Sequence, residues 1–296
     1  MRRFMVPAVL AYVVATTAFL VWRGISVSPD YFVFILLFGA IVLGRWKAFV
    51  VDWMPFIVLF LGYEFLRGFA DNTGIPVHYE EVIALDRAIG LGTLPTLFLQ
   101  SHLYHGGGPS ALDIACTLVY FLHFAYPLTL GYVFWIRDRS VFRHFAAALL
   151  GMSFVAFFFY LLVPVAPPWL AAQKGLLPHV EKIISHTLPS ATDFVYQKMN
   201  PNQVAAMPSL HTAFPVLGLL YGVRLFGRRA ALPLGAWVIA VVFSIVYLGE
   251  HYVVDALGGV VFAVAAYLVV RLASARLGKP READSGLGAI QAVDAE

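Results

Sequence analysis

Met207-Pro208-Ser209-Leu210-His211 opens an apolar stretch that runs to Leu225, and Gly249-Glu250-His251-Tyr252-Val253-Val254-Asp255 opens another that runs to Leu272. Each stretch can cross a bilayer, because about 20 residues at 1.5 Å rise span the hydrocarbon core. Histidines and an aspartate at the edges of such runs are costly unless they pair, hydrogen-bond or face water. They are therefore functional candidates, and their types suit phosphate chemistry.

The rest of the chain has the same character. Of 296 residues, 60% are hydrophobic and 12% charged, where soluble domains carry about a quarter charged residues; the mean hydropathy is +0.80. The alternation that a membrane β-barrel requires is absent. The fold class expected is all-α, a polytopic membrane helix bundle. Candidate spans are Phe4–Trp22, Asp30–Gly44, Ala48–Ala70, Ser110–Trp135, Val141–Val163, Pro208–Leu225, Ala230–Gly249 and Tyr252–Leu272, the second being the shortest. Lone Cys116 excludes an intrachain disulfide and a cysteine metal cluster, and nothing in the charge pattern suggests a nucleic-acid groove.

The basic residues set the orientation. With the amino terminus cytoplasmic, 14 of the 20 Lys and Arg fall in cytoplasmic segments, among them Arg45, Lys47, Arg137, Arg139, Arg143, Arg224, Arg228, Arg229, Arg271 and Arg276. This is the short-loop bias that positions helices in a membrane. Arg2 and Arg3 before an apolar run also fit a signal peptide, but an uncleaved anchor is the reading favoured, and either choice leaves the sidedness unchanged. His211 and His251 then face the same extracytoplasmic mouth of a protein in the cytoplasmic (plasma) membrane. Loop 71–109 reads as two short interfacial helices followed by the breaker Gly106-Gly107-Gly108-Pro109, and loop 164–207 begins with the stiff Pro164-Val165-Ala166-Pro167-Pro168-Trp169. Both loops cap the mouth, while residues 278–296 read as a disordered tail.

If Tyr252 onward is helical, His251 and Asp255 lie four apart on one face, where the carboxylate holds one imidazole nitrogen and leaves the other free as a nucleophile toward phosphorus. Pro208 fits a first helical turn, whose N–H groups, together with Ser209, offer donors to an anion. His211, one turn in, is placed to protonate a leaving oxygen and then deprotonate the acceptor. The missing part is a cationic clamp: Arg67 is the first candidate and Lys198 the second. The other histidines, His123 among them, read as ordinary satisfied polar residues.

Ala206-Met207-Pro208-Ser209-Leu210-His211 and His251-Tyr252-Val253-Val254-Asp255 resemble the second and third motifs of the type-2 phosphatidic acid phosphatase superfamily, in the branch of fungal inositol phosphorylceramide synthase. The resemblance implies a six-helix core with about two N-terminal transmembrane helices added: residues 1–47 as the addition, 48–274 as the catalytic domain and 275–296 as the tail. It implies His251 as nucleophile, Asp255 as its partner, His211 as acid and base, Ser209 as a phosphate contact, and no metal or cofactor. The phosphatases' first motif, a Lys and an Arg-Pro, should fall near Phe158–Pro164, which carries no basic residue. That departure favours the inositolphosphotransferase branch, acting on a phospholipid or lipid phosphate with a hydroxyl acceptor. A lipid phosphate phosphatase, with water as acceptor, is the alternative. Two more distant readings are a non-haem iron oxygenase, since two His and one Asp make a facial triad, and a transporter.

Overall fold

The computed structural model describes residues 29–67, 74–187 and 202–277, along with Ala11. The expected first span and the tail from residue 278 lie outside the described residues. Helices α1 (Pro29–Val42) and α2 (Trp46–Arg67) come first. Two short helices, α3 (Glu80–Ile89) and α4 (Pro95–Leu103), follow where the sequence predicts them. Next come α5 (Ala111–Arg137), α6 (Arg139–Leu162), and the short α7 (Pro168–Gln173) and α8 (Ile184–Thr187). The chain closes with α9 (Leu210–Phe226), α10 (Ala231–Tyr247) and α11 (Val253–Leu277).

Among the described residues, four helices can cross a membrane by length and composition, within α2, α6, α10 and α11, and α5 makes a fifth if its two halves form one span. The halves of α5 meet at 54° between His123 and Ala125. Pro127 explains the bend, since it has no N–H to offer the carbonyl four residues back, at His123, and its ring crowds that carbonyl. Helix α9, with 17 residues, and α1 are shorter apolar helices. Exposed Phe34, Val51, Leu232, Ile239 and Val269 present apolar side chains where lipid replaces water as the solvent. The protein is a multi-pass integral membrane protein.

Helix α9 sits in the middle, packed by α5, α6, α10 and α11. Leu210, Ala213, Phe214, Leu217 and Tyr221 are buried along it. Helix α11 comes close to its start because Gly259 lacks a side chain: a Cβ there would lie 2.3 Å from the Ser209 carbonyl oxygen. Helix α2 docks through aromatic rings, with Trp53 stacked on Phe142 at 4.7 Å and on Phe49 at 5.1 Å. At the same end of the bundle, Asp52 accepts hydrogen bonds from the Trp135 indole and the Arg139 guanidinium. Arg45 donates to the Ile136 carbonyl and lies over the Trp135 ring. The basic residues thus gather at this end.

The opposite end is closed by the two long loops. His78 N–H donates to Pro164 O at 2.8 Å, Val165 N–H to Val204 O at 2.8 Å and Ala206 N–H to Val165 O at 3.1 Å, so three extended pieces run side by side. Gln100 on α4 joins three elements: its amide nitrogen donates to the carbonyls of Glu181 and Tyr247, both at 2.9 Å, and its oxygen accepts from Glu181 N–H. Helix α10 ends in a turn at Gly249, whose φ of 77° belongs to the left-handed region that glycine tolerates. Helix α3 buries Val82, Ile83 and Asp86 and packs against α11. The loops therefore hold residues 202–209 and 249–252 against the bundle.

Candidate active site

Asp255 is the third residue of α11 and is fully buried. Its Oδ2 accepts the N–H of Tyr252 at 2.8 Å, so it reaches back over the start of its own helix, and the same oxygen lies 3.4 Å from His251 Nδ1. That separation is longer than a formed hydrogen bond. The expected geometry is corrected here: α11 begins at Val253, so His251 precedes the helix. The two side chains meet because the carboxylate folds back to a helix start, not because they share a helical face.

A second correction concerns α9. The helix begins at Leu210, so Pro208 lies outside it, Ser209 takes the N-cap position and His211 is the second helical residue. Ser209 N–H donates to the backbone carbonyl of Asp255 at 3.0 Å, which ties the two motifs directly together. Its side-chain oxygen is buried and bonds nothing among the described residues. Tyr160 on α6 donates to Pro208 O at 2.6 Å. Thus the stretch Phe158–Pro164, where the resemblance leads one to look for a basic residue, supplies instead a tyrosine that pins the loop before α9.

His251 Nε2 and His211 Nδ1 are 3.2 Å apart. One shared proton between two imidazoles fits that distance, and which nitrogen carries it depends on the tautomer. His211 also stacks on Tyr120 at 4.4 Å and lies tilted against His123 at 4.0 Å between ring centroids, both on α5 before its bend. The histidine pair opens into a small pocket of about 60 Å³ whose wall includes Tyr63, His123, Asn202, Gln203 and Glu250. Among the described residues no group of His, Cys, Asp and Glu is arranged to hold a metal ion, since Asp255 stands behind the His251 ring.

The structure therefore brings together His251, Asp255, His211 and Ser209. The side chain of Arg67 and the whole of Lys198 lie outside the described residues. Sequence reasoning passed over His123, Asn202, Glu250 and Asp86. An ionisable His123 in the interior of a span was a usable signal, as was Glu250 beside the nucleophile candidate; nothing in the chain order pointed to Asn202 or Asp86. The peripheral histidines have local partners: His179 and His186 contact Glu181, and His78 contacts Glu81.

Residues 80–269 match the family model of the PAP2 superfamily. The chain belongs to the PAP2 superfamily. It is an enzyme of that superfamily, and the PAP2 match runs from the start of α3 into α11, so it includes every residue of the cluster. The phosphoinositol dihydroceramide synthase of Bacteroides thetaiotaomicron is similar at 23% identity over 250 residues, which is 75% of this chain and 76% of that protein. The inositol phosphorylceramide synthase of Candida albicans is 26% identical over 171 residues, 53% of this chain and 35% of that protein. No solved structure matches the chain.

Proposed function

We propose that this PAP2 enzyme transfers a phosphoryl-linked headgroup from a phospholipid to a hydroxyl acceptor through a phosphohistidine on His251, at the extracytoplasmic leaflet. The observation that carries the reading is the line of three groups, with Asp255 Oδ2 behind His251 Nδ1 and His251 Nε2 facing His211 across 3.2 Å. The carboxylate favours the proton on Nδ1, which leaves the Nε2 lone pair free to attack. Phosphate enters between the two rings. The Nε2–P bond forms as the lipid P–O bond breaks, and the leaving oxygen takes a proton from His211. In the second half, His211 takes the proton of the acceptor hydroxyl, whose oxygen attacks phosphorus and releases His251.

Ser209 and the first N–H groups of α9 are assigned to the nonbridging oxygens, since a helix start concentrates unsatisfied donors and positive dipole. Arg67 and Lys198 stay as the cationic candidates. The catalytic domain is taken as 48–274. The extracytoplasmic placement is supported by the gathering of Arg45, Arg137, Arg139, Arg224 and Arg271 away from the cluster. Headgroup transfer is supported by the two relatives' names, both of them synthases.

The test is to incubate purified protein with labelled phosphatidylinositol, with and without a ceramide acceptor, and to separate free phosphate, inositol phosphate and transferred headgroup. Transfer that requires the acceptor supports the reading. Release of inorganic phosphate from lipid phosphates with no transfer to any alcohol would replace it with a phosphatase.

A further inference from the structure

Arg224 lies in the last turn of α9 and Arg271 near the end of α11. At 1.5 Å per residue they stand about 20 Å from His211 and about 24 Å from Asp255 along those helices, at the far end of the bundle. Both line a cavity of about 300 Å³ together with His144 of α6 and Tyr221 of α9. Both also line a groove of about 590 Å³ whose other walls include Leu219, Leu220 and Val223 of α9 and Tyr267 of α11. The two share their arginines, so a basic recess adjoins an apolar one. Tyr221 fixes the walls: its hydroxyl donates to the His144 carbonyl at 3.1 Å, and its ring meets those of Phe145 at 5.7 Å and Tyr267 at 5.1 Å, edge to face. Leu268 and Leu272, the neighbours of Tyr267 and Arg271 on α11, are exposed, so lipid reaches this face.

We propose that this double recess is a second lipid site, which holds an anionic phospholipid of the leaflet opposite the histidine cluster. Its phosphate sits between Arg224 and Arg271 beside His144, and one acyl chain lies along α9 in the groove. The proposal is independent of the chemistry at His251. Guanidinium groups suit phosphate because their forked donors meet two of its oxygens at once. A basic pocket between transmembrane helices near the membrane surface favours a headgroup with net negative charge. The groove adds what a soluble phosphate cannot use, a place for a hydrocarbon chain continuous with the phosphate position. Arg139, at the same end of the bundle, is taken up by Asp52 and plays no part.

The experiment photolyses full-length protein in detergent with phosphatidylglycerol that carries a diazirine in one acyl chain, and maps the labelled peptides by mass spectrometry. Label is expected within residues 219–224 and 264–271. Unlabelled phosphatidylglycerol should suppress it at a concentration at least about tenfold lower than phosphatidylcholine does, since two cations near the surface together favour an anionic lipid by that much or more. The double variant Arg224→Gln, Arg271→Gln should lose at least about tenfold of this label while label at the histidine end is unchanged. Absence of label from the two segments, equal competition by the two lipids, or unchanged label in the double variant overturns the proposal. So does label that appears only after residues 278–296 are removed, since Glu282 and Asp284 of that tail then fill the recess in the whole protein. Thermal unfolding in phosphatidylcholine reports whether the double variant is folded; the competition is measured on the parent and decides without it.

Discussion

Asp86 Oδ1 accepts the N–H of Val254 at 3.0 Å, so a carboxylate from loop helix α3 caps the first turn of α11, one residue from Asp255. Burial pushes the Asp86 carboxyl up to about 6; the Val254 N–H opposes the shift and the Asp255 charge adds to it. The folded protein therefore holds a proton that the unfolded chain has released between about pH 4 and 6. The Asp86 contribution to stability is full below that window and lost as the pH rises through it. Asp86→Asn keeps an acceptor for Val254 without the buried charge. Thermal unfolding of this variant should depend less on pH between 4 and 6 and be no less stable at pH 7, with a gain of at most about 3 kcal/mol. A variant that melts well below the parent at pH 7 would show that the charge itself holds α11 in place.

Gly259 lets α11 lie close against the start of α9. Alanine there meets the Ser209 carbonyl at 2.3 Å, which forces the backbones apart. We expect Gly259→Ala to cost about 1–3 kcal/mol, as overpacked cores do. Because Ser209 and His211 move with it, lipid turnover should fall by more than the loss of folded protein, measured as specific activity against the folded fraction.

Gln100 joins α4, the loop at Glu181 and the end of α10 through three hydrogen bonds. Gln100→Ala leaves the Tyr247 carbonyl and the Glu181 N–H without those partners, and should lower stability by about 2–4 kcal/mol. Hydrogen exchange should rise first at residues 175–187. Unchanged exchange there would mean that the loop is held by other contacts.

Sidedness is open to labelling. With Cys116 replaced by alanine, single cysteines at exposed Lys174 and Arg228 should react with an impermeant thiol reagent from opposite sides of intact cells, Lys174 from outside. Arg228 is the better inner position, since Arg139 is engaged with Asp52. Labelling of Arg228→Cys from outside would invert the topology.

The helices were legible because each apolar run declares its own length. Ala48–Ala70, Val141–Val163 and Ala230–Gly249 fall on α2, α6 and α10 with shifts of a few residues. What misled was punctuation: Pro208 reads as a helix opener, yet the helix waits for Leu210 because Ser209 keeps an extended backbone as the N-cap, with φ −71° and ψ 110°. The meeting of His251 with Asp255 was legible, though for a reason other than helical periodicity. Asn202 and Asp86 were not legible, because their surroundings come from loops folded back over the bundle. His123 meets His211 at the end of the first half of α5, a contact between distant helices that chain order does not reveal.

The account turns on covalent chemistry at His251. The most direct measurement is to mix the purified protein with a phospholipid labelled at phosphorus, without acceptor, quench in base to preserve an N–P bond, and locate the label by mass spectrometry. The account predicts the label on His251, absent in His251→Ala and discharged when the hydroxyl acceptor is added. Turnover with no labelled histidine, or full activity in His251→Ala, would contradict it.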